Sequence, residues 1–137
     1  MNQTNLYRLI GSIARQSTTS VNQQVSHLGL DNNLFVYLMR IVENEGLSQA
    51  ELVERVRIDK TTLSRALKKL VAEGYVRKVP DAHNKKFRRL YATDKGKAIY
   101  PQVSQIEQAY IQQALSGVDE AEQTELQTLL AKIYANL

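Results

Sequence analysis

The chain is 137 residues long, 43% hydrophobic, without cysteine, and carries a formal net charge of +4. That length makes one domain, or one domain with helical extensions, and an apolar fraction of this size builds a globular core rather than a disordered or fibrous chain. The missing cysteines exclude disulfides, thiolate zinc sites and thiol redox sensing, and fit a reducing compartment.

Neither a membrane span nor export is indicated. The longest apolar run, Leu34 to Met39, falls far short of the roughly 20 residues a span needs. The amino terminus lacks the charged, apolar and small-residue order of a signal peptide. A cytoplasmic protein is expected. Charge is spread unevenly: from Arg55 to Arg89 there are twelve Lys/Arg and three acids, a local +9, whereas the remaining residues sum to −5. A basic middle between acidic ends points to a localised polyanion site.

Apolar residues recur at helical spacing from Leu6 through Leu9, Ile10, Ile13, Val21 and Val25 to Leu28, so the chain opens on a long helix that Gly29 ends. Asp31 reads as the N-cap of a second helix, Asn32 to about Asn44, closed by Gly46. "SQAE", Ser48 to Glu51, is a capping box opening a short helix to about Val56. After the connection Arg57, Ile58, Asp59, the last of these caps a helix from Lys60 to Glu73, and Gly74 takes the left-handed position after it. Tyr75–Val79 and Arg88–Ala92 read as strands around the cationic loop "PDAHNKKF". Thr93 caps a long helix to about Ser116. Asp119, with Glu122 three residues on, opens a last helix whose inward set is Leu126, Leu129, Leu130, Ile133 and Leu137. There is no internal repeat.

At 100° per residue, Ala66, Leu67 and Leu70 fall within about 60° of Leu63 and form the buried stripe of the Lys60–Glu73 helix. Thr61, Arg65 and Lys68 lie near the opposite pole, flanked by Ser64 and Lys69. Two short helices joined by three residues are a helix-turn-helix, whose second helix enters the DNA major groove. The groove is about 12 Å wide and a helix with side chains about 10–12 Å across. A β-hairpin directly after such a pair makes a winged helix, here with Lys85, Lys86, Arg88 and Arg89 at the wing. The fold class expected is mainly α: a winged helix-turn-helix over residues 31–96, with a helical dimerisation region over 1–30 and 97–137. A first helix of roughly 35 Å at 1.5 Å per residue outreaches a compact winged domain. Pairing two copies would bury its stripe and that of the last helix, and would set two recognition helices for half-sites roughly 34 Å apart.

Through "SQAELVERVRIDKTTLSRALKKLVAEGYV" and "PDAHNKKFRRLYATDKG" the chain resembles, nearly end to end, the MarR family of bacterial transcriptional regulators. The resemblance implies a homodimeric, cytoplasmic regulator, a repressor or an activator bound to a pseudo-palindromic double-stranded operator, with repression expected first. In the family the recognition helix has small hydroxyl residues followed by an arginine, matched by Thr61, Thr62, Ser64 and Arg65. Asp81 and "TDKG" match the wing, while Asn84 and Lys85 stand where the family has aspartate-arginine. Lysine is a point charge without arginine's planar fork, so the tip is expected to contact phosphate. The candidate DNA-binding residues are Ser48, Gln49, Lys60, Thr61, Thr62, Ser64, Arg65, Lys68, Lys69, Asn84, Lys85, Lys86 and Arg88. Ser48 and Gln49 would offer backbone N–H groups at a helix start, and Arg65 would meet either a guanine edge or a phosphate. The family's small aromatic or anionic effectors bind between outer helices and winged domain, which makes Tyr7, Tyr37 and Tyr100 candidate ligand-binding residues.

An enzyme is not expected. His27 and His83 have no metal-ligand spacing or paired nucleophile, the glycines are scattered singly, and no cofactor or metal is implied. The alternatives are a winged-helix RNA-binding module and a protein-interaction module. Sequence-specific RNA modules display aromatic stacking platforms, and the basic segment offers only Tyr75, Phe87 and Tyr91.

Overall fold

A computed structural model describes residues 2–137. Helix α1 (Gln3–Val25) leads through a 3-10 turn (Ser26–Leu28) to α2 (Leu34–Glu43), α3 (Gln49–Val56) and α4 (Lys60–Ala72). The hairpin β1 (Val76–Pro80) and β2 (Arg88–Ala92) follows, then α5 (Asp94–Ala114) and α6 (Glu120–Ala135). This is the mainly helical, winged arrangement expected. None of the described helices is long and apolar enough to cross a membrane.

Local chemistry sets most boundaries. Ser48 and Glu51 form the capping box at α3, with Glu51 N–H donating to Ser48 Oγ at 3.1 Å and Ser48 N–H donating to Glu51 Oε1 at 3.2 Å. Asp59, Thr93 and Asp119 cap α4, α5 and α6 as expected. Each cap satisfies N–H groups that have no partner inside the helix. Gly96 does a different job. A Cβ there would collide with the Tyr75 carbonyl, so only glycine lets the first turn of α5 lie against the start of the wing.

The second helix departs from expectation. It starts at Leu34 rather than Asn32, and Asp31 is not its cap. Asn32 (φ 56°) and Asn33 (φ 65°) are both left-handed, a conformation asparagine tolerates better than most residues. An amide pair holds them there: Asn33 N–H donates to Asn22 Oδ1 at 2.9 Å, and Asn22 Nδ2 donates to Asn33 Oδ1 at 2.8 Å. The first strand also begins one residue late: the Tyr75 N–H donates to the Leu70 carbonyl at 2.9 Å and closes the end of α4, while its buried hydroxyl donates to the Leu28 carbonyl at 2.9 Å.

One core joins the elements. Leu63, Leu67 and Leu70 of α4 are fully buried with Leu52 of α3, Leu38 and Ile41 of α2, and Val76 and Leu90 of the wing. Val25 and Leu30, from the first helix and its link, and Val103 of α5 belong to the same cluster. The carboxyl-terminal part of α1 is therefore core for the winged unit, whereas Leu6, Leu9 and Ile13 are 48%, 48% and 57% exposed. In α6, the residues read as inward do not face the chain's own core: Leu126, Leu129 and Leu130 are exposed. Near its end Tyr134 meets the helix-turn-helix. The Arg57 guanidinium lies 4.6 Å from the Tyr134 ring centroid, and its Nε donates to the Tyr134 hydroxyl at 3.0 Å.

The wing is antiparallel, with Val76 opposite Ala92 and Pro80 opposite Arg88. On the other edge of β2, Gly46 N–H donates to the Leu90 carbonyl at 2.8 Å and Leu90 N–H to the Leu47 carbonyl at 2.9 Å, so the lead into α3 adds a short third strip. Arg89, expected among the tip cations, turns inward instead. Its Nε donates to Asp81 Oδ1 at 2.7 Å and its Nη1 to the Gly46 carbonyl at 3.0 Å. Asp81 Oδ2 accepts from the His83 and Asn84 N–H groups, both at 3.0 Å. One carboxylate thus shapes the loop and ties it to the helix-turn-helix.

The Arg89 guanidinium first, and then the loop N–H groups, hold the Asp81 carboxyl below its ordinary value. A group with a depressed folded pKa contributes stability above its unfolded value, about 3.9 for aspartate, and loses it as pH falls through the folded value. Asp81→Asn should therefore lower the melting temperature at pH 7, and the gap from the native protein should close in acid below the ordinary carboxylate range. Thermal melts from pH 7 to pH 2 check this; a constant gap would contradict it.

Candidate nucleic-acid interface

Because Leu63, Leu67 and Leu70 point into the core, helical geometry turns Thr61, Arg65 and Lys68 outward, and all three are exposed, as are Lys60 and Lys69. Ser64 is half-buried. Thr62 is exposed, but its hydroxyl is engaged: it donates to Asp59 Oδ2 at 2.7 Å while its N–H donates to Asp59 Oδ1 at 2.8 Å. These bonds hold the Asp59 carboxyl below its usual range and leave Thr62 serving the helix start.

Ser48 is buried, with both its hydroxyl and its N–H occupied by the capping box. Its N–H is therefore not free for a phosphate. Gln49, next in line, borders a cleft of about 270 Å³ with Lys60, Lys86 and Arg88, walled by Val53 and Phe87. The cleft gathers expected contact residues from α3, α4 and the wing. On the other flank of α4, Thr62, Arg65 and Lys69 border a cleft of about 230 Å³ with Tyr37 of α2 and Asn32 of the turn before it. Two cationic recesses thus flank the outward face of α4.

At the wing tip Asn84, Lys85, Lys86 and Arg88 are exposed. Asn84 Oδ1 accepts from Lys86 N–H at 3.1 Å, so this side chain also shapes the turn that presents the lysines. Among the described residues, ion pairs join Arg89 to Asp81 and Glu51, and Lys97 to Glu45. Lys60, Arg65, Lys68, Lys69, Lys85, Lys86 and Arg88 take part in none of them. A solvated charge run laced by its own acids would not look like this.

Lys78 was missed by the sequence reading. It is half-buried on β1, and burial first, then the charges of Lys68 and Arg88, push its ammonium pKa down. Three cations from α4, β1 and β2 therefore crowd one place without an acid, an arrangement that a polyanion would relieve. The alternation of β1 carries the signal: Lys78 shares a side with buried Val76, while Arg77 faces the other way and lies over the Tyr91 ring, 4.7 Å from its centroid.

The aromatic residues of the basic segment form no stacking platform. Tyr75 is buried, Tyr91 is half-buried beneath Arg77, and Phe87 is exposed in the wing cleft. The three tyrosines considered for a ligand are also apart. Tyr7 is exposed on α1, Tyr37 is buried and borders the Arg65 recess, and the Tyr100 hydroxyl donates to Glu43 Oε2 at 2.6 Å. That bond, with burial, pushes the Tyr100 phenol up to about 12. None of the three lines the cavity of about 310 Å³ between α1, α2 and α5, whose walls include Val21, Phe35, Glu107, Tyr110 and Leu115.

Comparison with known proteins bears on this face. A family model described as the MarR family matches residues 28–86, from the end of the 3-10 turn to the wing tip. An uncharacterized HTH-type transcriptional regulator of Bacillus subtilis, YybA, is 37% identical over 132 residues, covering 96% of this chain and 88% of that protein. Among solved structures, a putative MarR family transcriptional regulator from Listeria monocytogenes in complex with a 26mer DNA superposes with TM-score 0.92 at 38% identity, over 95% of this chain and 87% of that one. The transcriptional regulator SlyA superposes with TM-score 0.90 at 37% identity, over 96% and 92%. A likeness that runs through the helix-turn-helix, the wing and the outer helices alike places this chain in the MarR family of winged-helix transcriptional regulators, not among enzymes.

Proposed function

We propose that the protein is a homodimer that binds a pseudo-palindromic site in double-stranded DNA and represses by occupying it, and that a small ligand relieves the binding. The observation that carries this reading is the set of cations on α4 and the wing with no acidic partners, on the same fold as the Listeria monocytogenes regulator crystallised with DNA. At 1.5 Å per residue α4 is roughly 20 Å long, enough to lie along a major groove. Thr61, Ser64 and Arg65 would then face base edges. Lys60, Gln49, Lys86 and Arg88 would take one phosphate strand, and Lys68, Lys69 and Lys78 would sit near phosphates on the flanks. Lys85 and Asn84 extend the wing along the backbone.

The dimer reading is supported by Leu6, Leu9 and Ile13 on α1 and by Leu126, Leu129 and Leu130 on α6, all exposed in the single chain. Stripes of this kind on a soluble protein mark an interface. The region 1–30 and 97–137 would form it, with the carboxyl-terminal half of α1 doubling as core for residues 31–96.

Arg65→Ala should leave the melting temperature unchanged, since the side chain is exposed and in no ion pair. Affinity for the cognate duplex should fall by about 1–3 kcal/mol, with relaxed discrimination at one base pair if Arg65 reads a base. Titration of cognate and point-changed duplexes separates base from phosphate contact, and unchanged affinity would rule out both.

Replacing Lys85 and Lys86 together by alanine should weaken binding to all duplexes alike. The log–log salt slope should fall in magnitude by about one unit per lost contact. A loss confined to particular sequences, at constant slope, would assign the tip to base or groove readout.

Leu126→Lys with Leu129→Lys should give a folded monomer near 15.6 kDa where the native protein sediments at twice that mass, with operator binding lost although every α4 and wing side chain is intact. A native protein that sediments only near 15.6 kDa at micromolar concentration would refute the dimer.

A further inference from the structure

We infer that the cavity between α1, α2 and α5 selects a cationic ligand, an arylalkylamine whose ammonium group faces Glu107. The inference rests on the proposed relief of DNA binding by a small ligand, places that ligand in this cavity, and departs from the anionic effector that the family resemblance allows.

The walls of the cavity are mostly apolar. Val21 and Phe35 are core residues, and Tyr110, Ile111 and Leu115 line the α5 side. At about 310 Å³ it is within the range of small-molecule sites. Glu107 is the one carboxylate among the residues of this wall, and it is half-buried. Among the described residues it forms no ion pair within 4 Å and no side-chain hydrogen bond. A carboxylate withdrawn from water beside apolar surface is costly unless something positive meets it.

The charges around Glu107 do not meet that need. Burial first, and then the charge of Glu43 on α2, push its carboxyl up; Arg40 on α2 pulls the other way without reaching ion-pair distance. Glu43 itself accepts from the Tyr100 hydroxyl of α5. Two carboxylates against one arginine leave this corner negative, so an anion entering the cavity would meet repulsion. An ammonium would meet Glu107, and the rings of Phe35 and Tyr110 among the walls suit a cation better than an anion. Ser17, also on the wall, has a hydroxyl that takes part in no hydrogen bond among the described residues and would accept from a second ammonium proton.

A matched series tests the charge separately from the cavity. Tryptamine, tryptophol and indole-3-propionate share an indole and a two-carbon arm and end in a cation, a neutral hydroxyl and an anion. Each is titrated into the full-length protein by ligand-observed NMR and calorimetry. Tryptamine should bind about tenfold tighter than tryptophol, the scale of one charge-assisted hydrogen bond, and indole-3-propionate weakest. Glu107→Gln should bring tryptamine to the tryptophol level and leave tryptophol unchanged. Arg40→Gln, a surface change that does not risk the fold, should tighten tryptamine and weaken indole-3-propionate further. Equal binding of all three, or a tryptamine preference that survives Glu107→Gln, would overturn the cationic class while the cavity stands. If none of the three binds the native protein, the cavity reading falls, and the cationic class with it.

Discussion

Leu63, Leu67 and Leu70 are each shielded completely from water, and that burial decides which way α4 faces. Removing one such leucine from a core costs about 2–5 kcal/mol, so a rotation of α4 that exposed all three would cost about as much as a typical domain's whole stability of about 5–15 kcal/mol. Because the helix cannot turn, Thr61, Arg65 and Lys68 have only one place to go. The outward set of α4 is thus a consequence of its inward set. Asp59 fixes where the helix starts, and the left-handed Arg57 ahead of it allows the sharp approach from α3.

The second constraint is electrostatic, and it divides the cations of the basic segment into two kinds. Arg89 sits between Asp81, the Gly46 carbonyl and Glu51, and holds the wing to the lead into α3. The others on α4 and the wing are left without acids, and Lys78 is pressed against Lys68 and Arg88. Such repulsion is unfavourable in the free protein and makes a bound polyanion more favourable by the same interactions. A fold optimised for stability alone would place acids among these cations, as it does for Arg89 and Lys97.

Much of this organisation was legible in the residues. The capping box at Ser48 and Glu51, the caps at Asp59, Thr93 and Asp119, and the period of the leucines in α4 are local signals, and each marks its element because a helix start and a buried stripe depend on neighbours a few residues away. What was not legible depends on partners far along the chain. Asn22 sets the start of α2 through Asn33, eleven residues on, so Asp31 looked like the cap. Arg89 reads as one more wing cation until Gly46 and Asp81 are seen on either side of it. The strand register places Lys78 on the α4 side, a fact that alternation contained but a count of charges did not. The leucines of α6 were correctly seen as a stripe, yet periodicity says only that a face is apolar, not whose core it enters. Tyrosine number likewise suggested a ligand site, whereas burial and the Glu43 and Leu28 bonds give several of those rings structural work.

The central claim is that the unpaired face of α4 and the wing, presented twice by a two-fold dimer, binds double-stranded DNA. Selecting bound duplexes from a random pool with the full-length protein, and sequencing them, tests it most directly. The account predicts an enriched inverted repeat whose half-site centres lie about 10–10.5 base pairs apart, one helical turn. A pool with no enrichment over its input, or with an enriched site lacking two-fold symmetry, would contradict it.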